Sequence, residues 1–336
     1  MKAFRVLRYN KKNFADVRLM DVDVPSPSPQ QLRVRMSAAA FNPADLHTLS
    51  GEMGMMSPVK PPFTLGVDGA GVVEAVGADV RDFQVGDEVF FYTGLVWSGT
   101  FAETVMVDAR ACAAKPAHWS YAQAAAVALA LLCADLALER AQVHAGQQIL
   151  IHGAGGSVGA AAVLLARQRG ASVHATGSLD DKSFTEQLGA QAFYDYRQTP
   201  LQQLPRGKYD MVLDGMGERM FLDSLPLLKK GGAIASLKVM TGMDDMLKMG
   251  MKPPGIFKYL LPFIMRKYTG AAKSAGVRVV GVATYQNGAR LAELGAQAAA
   301  LGYLPRIDRS FAFSQAPAAL EYFAKGKPRG KVVVEI

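Results

Sequence analysis

The fold is decided by the stretch Gln148-Ile-Leu-Ile-His-Gly-Ala-Gly-Gly-Ser-Val-Gly159. Its first four residues predict a buried strand, and the apolar run Val158–Ala166 has the length of a helix and no breaker. Between them, Ala154, Gly156 and Gly159 have the spacing of G-x-G-x-x-G, with alanine in the first place. Small residues at such a turn let backbone N–H groups and the helix N-terminus face a pyrophosphate. Because strand, turn and helix occur in the required order, the sequence predicts a dinucleotide-binding turn.

The bulk composition predicts a globular protein with two domains. The 336 residues are 50% hydrophobic and 20% charged, and they suffice for two cores. The longest apolar run, Ala124–Ala134, is far shorter than a membrane span, and no hydrophobic signal segment follows Met1. We therefore expect a cytoplasmic protein without a transmembrane segment. Cys112 and Cys133 are the only cysteines, which excludes a disulfide framework and a four-cysteine metal site.

The net charge of +8 raises the question of a nucleic-acid partner. The basic residues are scattered, and the sequence has no basic patch rich in aromatic residues. Their one dense cluster, Lys325 to Lys331, lies near the C-terminus. A solvated basic surface is therefore expected, with no nucleic acid as partner, and its field would attract an anionic coenzyme.

The first part of the chain, to about residue 125, predicts a small β-barrel. Regular glycine punctuation between valine-rich runs is typical of strands joined by tight turns. A short helical turn is expected to begin at Asn42 and to end near Gly51. The predicted strands are 4–9, 17–24, 31–40, 72–76 and 88–91.

The chain changes character after Ser120. Tyr121–Arg140 predicts a helix, and beyond it short strands alternate with helices, a pattern that indicates a parallel sheet with crossover helices. The predicted strands are 148–152, 172–176, 192–194, 211–214, 233–237, 277–284 and 331–336, and the predicted helices are 157–169, 182–188, 218–229 and 289–301.

A methionine-rich segment, Met240–Ala275, interrupts this pattern with six methionines and the run Ile256–Met265. Apolar and basic residues alternate along it, which makes an adaptable amphipathic surface. It could cap a bulky apolar substrate, pack in a dimer, touch a membrane, or form a helical insertion packed on its own domain. The sequence leaves these alternatives open.

Several motifs follow one another along the chain in a characteristic order: Phe41-Asn-Pro-Ala-Asp45 with Gly51, Gly66-Val-Asp-Gly-Ala-Gly71 with Val76-Gly77, Phe83-Gln-Val-Gly-Asp87, His152 to Gly159, Leu188-Gly-Ala190, Asp195-Tyr196, Asp214 and Gly330-Lys331. With them the chain resembles the medium-chain dehydrogenase/reductase superfamily, and in it the zinc-free quinone oxidoreductase (zeta-crystallin-like) branch. The resemblance implies an α/β protein with two domains and a coenzyme cleft between them. A GroES-like β-barrel substrate domain would comprise residues 1–125 and 273–336. A Rossmann NADPH-binding domain with a doubly wound parallel sheet would comprise residues 126–272, with the methionine-rich insertion at about 240–272.

The same comparison bears on zinc. Relatives that use zinc place a cysteine where this chain has Asn42 and a His-Glu pair where it has Val67-Asp68. Asparagine and valine cannot supply a thiolate and an imidazole, so the usual three-ligand catalytic site is excluded. We predict no metal site.

The choice of coenzyme depends on the end of the second strand of the Rossmann domain. Proteins that prefer NAD carry a carboxylate there for the ribose 2′-hydroxyl, whereas this strand ends at Gly177 and Ser178. Ser178 could bond a 2′-phosphate that Lys182 neutralises, and Tyr196 matches a family position on the adenosine side. Asp181, however, stands where relatives often carry a basic residue. The prediction is NADPH; the alternative is that Ser178 and Lys182 are plain surface residues. The residues expected to hold the coenzyme are Ala154, Gly155, Gly156, Ser157, Val158, Gly159, Gly177, Ser178, Lys182, Tyr196 and Asp214.

Three residues are candidates for catalysis at the nicotinamide end, although no acid–base dyad is evident. Asn42 matches a family asparagine at the cleft and could donate to an acceptor carbonyl or hold the nicotinamide; it could equally be a turn-forming Asn-Pro. His47 could donate a proton or pack on the ribose, and Tyr92 could donate its hydroxyl. Structural roles in the core or on the surface are the alternatives for both.

Other polar residues near the predicted cleft are expected to be structural. Asp45 and Asp68 have the character of turn or cap residues. Cys133 stands where relatives usually have threonine beside the nicotinamide, and we expect it to be a buried small hydrophobe. Asp214 ends a strand at the carboxyl edge of the sheet, where its backbone should line the coenzyme groove.

These observations predict a zinc-independent, NADPH-dependent oxidoreductase that reduces a quinone or another α,β-unsaturated carbonyl by hydride transfer. The alternatives are an enal or enone (alkenal) reductase and an NADPH-binding redox sensor without catalysis, because binding and chemistry use different residues. The expected substrate is a small apolar carbonyl compound or quinone. By analogy with the family we expect a homodimer that pairs strands around Val277–Thr284.

Overall fold

This computed structural model of the protein describes residues 1–10, 14–24, 26–52, 54, 56–57, 59–95, 99–240 and 242–336. The chain divides into two compact units. The first unit comprises Met1–Leu132, Met249–Pro253 and Tyr285–Ile336, and the second comprises Cys133–Lys248 and Pro254–Thr284.

The first unit is built on two sheets. Its strands are β1 (Lys2–Val6), β2 (Val17–Asp21), β3 (Gln31–Ala40), β4 (Phe63–Thr64), β5 (Asp68–Val76), β6 (Glu88–Tyr92), β7 (Thr104–Asp108), β8 (Cys112–Ala114), β15 (Ile307–Ala312) and β16 (Lys331–Glu335). One sheet has the order β2-β1-β4; the other has the order β15-β16-β3-β5-β6-β8, with β7 also paired to β3. The helices that lie wholly in this unit are α1 (Pro43–Ser50), α8 (Gly288–Ala300) and α9 (Ala316–Lys325).

Strand β3 shows how the sequence forms this unit. Leu32, Val34 and Met36 are buried and alternate with residues that are partly or fully exposed, as expected of a strand with one face on a core. The strand has the predicted bounds, and it leads into Phe41, whose ring stacks on Phe101 with 4.2 Å between the ring centroids. The residue that follows β3 thus packs on the core directly before α1.

The second unit contains a six-stranded parallel sheet of order β11-β10-β9-β12-β13-β14. Its strands are β9 (Gln148–His152), β10 (Ser172–Gly177), β11 (Ala192–Asp195), β12 (Tyr209–Asp214), β13 (Leu228–Ser236) and β14 (Arg278–Gly281). Its helices are α3 (Ser157–Gln168), α4 (Lys182–Leu188), α5 (Glu218–Ser224), α6 (Met243–Lys248) and α7 (Phe257–Ser274). The predicted alternation of strands and helices around a parallel sheet is therefore confirmed.

The division of the chain differs from the predicted domain boundary. Residues 273–284, predicted with the first domain, lie in the second unit, because β14 pairs with β13. Residues 249–253, predicted within the inserted domain, lie in the first unit. The strand β15 and the helix α9 were not predicted from the sequence.

The methionine-rich segment contains α6 and α7, which are joined by the non-helical residues 249–256; Thr241 lies outside the described residues. Leu261 and Ala272 of α7 are buried, and Met265 and Tyr268 pack against the core of the second unit. The Tyr268 ring meets the Phe221 ring of α5 edge-on, with 5.2 Å between centroids. One face of α7 is thus packed on its own unit, in agreement with one of the alternatives left open.

Helix α2 (Tyr121–Arg140) is the one helix in the described chain that is long and apolar enough to cross a membrane. About 72% of its most apolar stretch is buried inside the protein. Burial of this extent is typical of a core helix, so its composition is weak evidence for a membrane span.

Candidate functional site

The predicted dinucleotide turn lies between β9 and α3. Gly153 has a φ of 62°, and Gly156 precedes the first residue of the helix in an extended conformation. A Cβ added to Gly159 would lie 2.4 Å from the Gly153 carbonyl oxygen and 2.7 Å from the Ala154 Cα. Only glycine therefore lets α3 pack this closely on the turn. The backbone at the helix start is arranged as the sequence motif requires.

His152 fastens the end of β9 to its neighbours. Its Nδ1 lies 2.9 Å from the Thr176 hydroxyl, and its Nε2 lies 2.9 Å from the Ser224 hydroxyl. Ser224 donates its own proton to the Met220 carbonyl, so its oxygen accepts from the Nε2–H of the imidazole. Burial lowers the pKa of His152 to about 4, which keeps the ring neutral. The carboxyl edge of the sheet beside the turn is thereby held rigid.

At the end of β10, the side chain of Asp181 turns back toward the dinucleotide turn. Asp181 Oδ2 accepts from the Ser178 hydroxyl at 2.8 Å and from the Ser178 backbone N–H at 3.2 Å. A Cβ on Gly155 would lie 2.2 Å from the Asp181 Cγ, and one on Gly177 would lie 3.3 Å from its Oδ2. Asp181 thus precedes the first residue of α4, and its carboxylate also lies against the dinucleotide turn.

The other residues predicted at this end have partners inside the chain. The Lys182 ammonium lies 3.9 Å from Glu186. Tyr196 is half exposed, and the Arg197 guanidinium lies 5.3 Å from the centroid of its ring. Two basic side chains therefore border the stretch in which Ser178 and Asp181 are found.

Asp214 ends β12 with its carboxylate turned inward. Its Oδ1 accepts from the Met216 N–H at 2.9 Å, and the Ser236 hydroxyl lies 3.4 Å from its Oδ2. Burial raises the pKa of this carboxyl group, while hydrogen bonds from its own loop oppose the rise. The Asp214 side chain therefore shapes the loop that follows β12.

In the first unit, Asn42 belongs to a buried polar cluster. Its Nδ2 donates to Asp68 Oδ2 at 2.9 Å, and its Oδ1 accepts from the Lys331 ammonium at 2.5 Å. The same ammonium lies 2.9 Å from Asp68 Oδ2, and Asp68 Oδ1 accepts from the Leu129 N–H at 3.0 Å. Asn42, Asp68 and Lys331 are at most 4% exposed. Both ends of the Asn42 amide are therefore engaged within the protein.

Asp45 completes this cluster at the start of α1. Its Oδ2 accepts from the Asn42 backbone N–H at 2.7 Å, and the residue is 1% exposed. Burial, reinforced by the nearby Asp68 carboxylate, raises the pKa of Asp45 to about 7, although the Asn42 N–H and Lys331 act in the opposite direction. The prediction that Asp45 and Asp68 are structural agrees with these contacts.

The three predicted catalytic residues have different surroundings. Asn42 lies in the buried cluster, and Tyr92 is fully buried in β6, opposite Asp68 in the pairing with β5. His47 is partly exposed, with its Nδ1 2.7 Å from Glu52, which follows α1. Their catalytic roles stay predictions.

Lys331 was not predicted as a site residue. The signal for it in the sequence is a single basic residue that opens an otherwise apolar strand, Lys331-Val-Val-Val334. A lysine that is buried in such a strand requires an acidic partner. Sequence alone could not identify Asp68 as that partner, because 263 residues separate the two.

Cys133 is buried, and burial raises the pKa of its thiol to about 11. It behaves as the small buried residue that the sequence predicted. Within the described part of the chain, no group of three or more His, Cys, Asp or Glu side chains could hold a metal ion.

Comparisons with known proteins agree with this arrangement. Residues 28–117 match the Alcohol dehydrogenase GroES-like domain family, and residues 188–334 match the Zinc-binding dehydrogenase family. The chloroplastic NADPH-dependent alkenal/one oxidoreductase of Arabidopsis thaliana is 34% identical over 247 residues, which are 68% of this chain and only 63% of that protein. The quinone oxidoreductase of Sus scrofa is 32% identical over 243 residues, which are 70% of this chain and 72% of that protein.

Among solved structures, the quinone oxidoreductase from Coxiella burnetii matches with a TM-score of 0.85 and 28% identity, covering 100% of this chain and 99% of that chain. A GroES-like unit together with a Rossmann-type parallel sheet defines a class of two-domain dehydrogenases and reductases. The chain belongs to the medium-chain dehydrogenase/reductase superfamily, within its zinc-free quinone oxidoreductase branch. The family predicted from the sequence motifs is thereby confirmed.

Proposed function

We propose that the protein is a nicotinamide-dependent reductase of quinones or other α,β-unsaturated carbonyl compounds. The observation that carries this proposal is the turn between β9 and α3, where the packing of Gly159 on Gly153 brings the N-terminus of α3 to the turn, as a pyrophosphate site requires. The names of the plant and pig relatives support the class of acceptor.

The proposed reaction divides its tasks between coenzyme and protein. A nicotinamide coenzyme bound at the turn supplies the hydride. The chain would bind the pyrophosphate through backbone N–H groups at the start of α3, apart from that of Gly156, which donates to the Gly153 carbonyl, and Asp214 shapes the neighbouring loop. Asn42 and Val67 occupy positions at which zinc-using relatives have ligands, so negative charge that develops on the acceptor oxygen must be met by hydrogen-bond donors. Asn42, His47 and Tyr92 are the proposed donors; to serve as one, Asn42 would have to release Asp68 or the Ala40 carbonyl, to which its amide now donates.

The test is a fluorescence titration with NADPH and NADH, followed by kcat/KM for a panel of quinones, enals and enones. Coenzyme binding with turnover of the panel supports the proposal, and the ranking of acceptors separates a quinone reductase from an enal or enone reductase. Tight binding without turnover of any acceptor would favour the redox sensor instead.

A pair of variants at one position tests the turn itself. Gly156→Asp should abolish coenzyme binding, because a carboxylate there repels the pyrophosphate. Gly156→Ala is the matched control: its φ of −77° suits any residue, and its Cβ would come no closer than 3.3 Å to the Gly153 oxygen. Normal coenzyme binding by Gly156→Asp would contradict the assignment of the turn.

For the coenzyme, we retain NADPH as the proposal. The name of the plant relative and the basic residues Lys182 and Arg197 support it. Asp181 opposes it, because its carboxylate lies against Gly155 and engages the Ser178 hydroxyl. A 2′-phosphate near these residues would be repelled by that charge.

Substitution of Asp181 tests how far its charge disfavours NADPH relative to NADH. Asp181→Asn keeps a hydrogen-bond acceptor for Ser178 and removes the charge, so it should raise the ratio of kcat/KM for NADPH to that for NADH by about tenfold. Asp180→Asn is the neighbouring control. A wild-type protein that prefers NADH, with the preference lost in Asp181→Asn, would show that the NADPH proposal is wrong.

We also propose a homodimer and a cytoplasmic location. The dimer is supported by the position of β14, which ends the order of strands in the second unit's sheet and offers an edge to a second copy. Light scattering of the wild type and of Val279→Pro, which removes a backbone donor from that edge, tests the contact.

A further inference from the structure

Helix α7 carries large apolar side chains on its solvent side. We call Ile256, Tyr259, Leu260, Phe263 and Ile264 the apolar stripe; every one of these residues is exposed. Tyr259 is 76% and Phe263 73% exposed. Their spacing of three and four residues stacks them along one side of the helix. A contiguous apolar surface of this kind marks a place of contact with another body.

The apolar stripe is not a part of the core that has become loosely packed. The face of α7 that packs on the second unit is formed by different residues, Leu261, Met265, Tyr268 and Ala272. At about 100° per residue, these lie on the opposite side of the helix from the apolar stripe. The first turns of α7 are therefore apolar on both sides, and only one side is covered by the chain.

The sequence around this helix carries only positive charge. Between Met246 and Ala292 there are eight lysines or arginines and no aspartate or glutamate. The basic residues of α7 itself are Lys258, Arg266, Lys267 and Lys273. Glu218 of α5 pairs with Lys267, and the other three are exposed at its surface. Exposed apolar and basic groups thus share one helix.

We propose that the apolar stripe is a docking surface for an anionic lipid membrane, with α7 lying in the plane of the headgroups. Apolar side chains flanked by lysine and arginine fit such a surface, because the rings enter the acyl boundary while the cations meet anionic headgroups. A second copy fits less well, since a two-fold contact through this face would bring two equally basic helices together. Quinones and enones dissolve in lipid, so docking would bring the site to its acceptors; this last point alone rests on the proposed function.

The experiment is vesicle flotation with the full-length protein at low salt. Vesicles of phosphatidylcholine containing phosphatidylglycerol are compared with vesicles of phosphatidylcholine alone. The protein should float with the anionic vesicles and be released by salt. Phe263→Ser should lower the partition coefficient by about tenfold or more, because one large ring no longer leaves water. Arg266→Glu, at the border of the apolar stripe, should lower it by a similar factor through its reversed charge.

Leu304→Ser is the control for Phe263→Ser, since Leu304 is also a large exposed apolar residue but lies outside α7. It should leave flotation unchanged, and circular dichroism should be the same for all variants because the replaced side chains are exposed. Equal flotation with neutral vesicles, no flotation with anionic ones, or an unaffected Phe263→Ser would each overturn the proposal. A dimer that Phe263→Ser dissociates, without vesicle binding, would identify a second copy as the occupant.

Discussion

The buried carboxyl group of Asp45 should make the stability of the first unit fall as the pH rises. Burial raises the pKa of Asp45 from its ordinary value of 3.8 to about 7 in the folded protein. Below the ordinary value, the group is protonated in both states and costs nothing. Between these pH values the unfolded chain releases the proton and the folded one keeps it, so stability is progressively lost, and above about pH 7 the loss is complete. At about 1.4 kcal/mol for each tenfold change in proton affinity, the loss amounts to about 4 kcal/mol.

Asp45→Asn should remove this loss, because the amide is neutral and still offers an oxygen to the Asn42 N–H. The free energy of unfolding of the variant, relative to the wild type, should rise by about 4 kcal/mol between about pH 4 and pH 8. Urea unfolding followed by tryptophan fluorescence measures it. Trp119 is buried in the first unit, so its fluorescence reports on the unfolding of that unit.

Asp108→Asn provides the control for Asp45→Asn. Asp108 also accepts a backbone N–H, from Arg110, but its hydrogen bonds to the Arg110 guanidinium lower the pKa of its carboxyl group. The stability that Asp108 contributes is therefore present above its ordinary pKa, and the difference between its variant and the wild type should stay constant over the same range of pH. A pH-independent difference for Asp45→Asn, or a variant less stable than the wild type at about pH 8, would refute the reasoning.

Three further predictions concern other buried groups. Gly159→Ala should weaken coenzyme binding and lower the melting temperature, because its Cβ would meet the Gly153 oxygen at 2.4 Å; calorimetry with and without coenzyme checks both, and an unchanged affinity contradicts the packing argument. Lys331→Met should cost about 3 to 5 kcal/mol in urea unfolding, because it leaves the Asp68 carboxylate buried without its cation; a loss below about 1 kcal/mol would mean that the carboxylate is solvated. Burial lowers the pKa of His152 to about 4, so on acidification the unfolded imidazole gains a proton before the folded one, and the free energy of unfolding falls below about pH 6.5. His152→Gln should make this fall less steep, as measured by unfolding followed by circular dichroism. An equally steep fall in the variant would contradict the prediction.

The sequence predicted most accurately the elements whose signals are local. Helix Tyr121–Arg140 and strand Gln148–His152 have the predicted bounds, because uninterrupted apolar runs end at clear breakers. Strand β13 begins at Leu228 instead of Ala233, and the residues added at its start are mostly exposed. Those residues have no apolar pattern, and their place in the strand depends on β12, whose Tyr209 pairs with Leu228. Strand β15 depends likewise on its pairing with β16, which local propensity does not reveal.

Only the part of the candidate site that depends on a local sequence motif could be predicted. The turn at Gly153–Gly159 is a local motif, so spacing sufficed to find it. The surroundings of Asn42 are not local: Asp68 and Lys331 reach it from β5 and β16. A motif match could align Asn42 with a position at the cleft of relatives, but it could not tell that both ends of the amide have partners inside the protein. The same holds for Asp181, whose position against Gly155 follows from a turn after β10.

The cluster around Lys331 also gives a physical reason why this branch needs no metal at that place. A cation site requires donors with excess negative charge, and two carboxylates, Asp45 and Asp68, are buried here together. Lys331 already places an ammonium 2.9 Å from Asp68 and 2.5 Å from the Asn42 oxygen, and the raised pKa of Asp45 leaves that carboxyl group partly protonated near neutral pH. A divalent ion would therefore meet a fixed positive charge and a shortage of carboxylate, and it would have to displace the lysine from Asp68. Asn42 and Val67 thus stand in place of the thiolate and imidazole ligands. In this chain the ammonium of Lys331 neutralises Asp68.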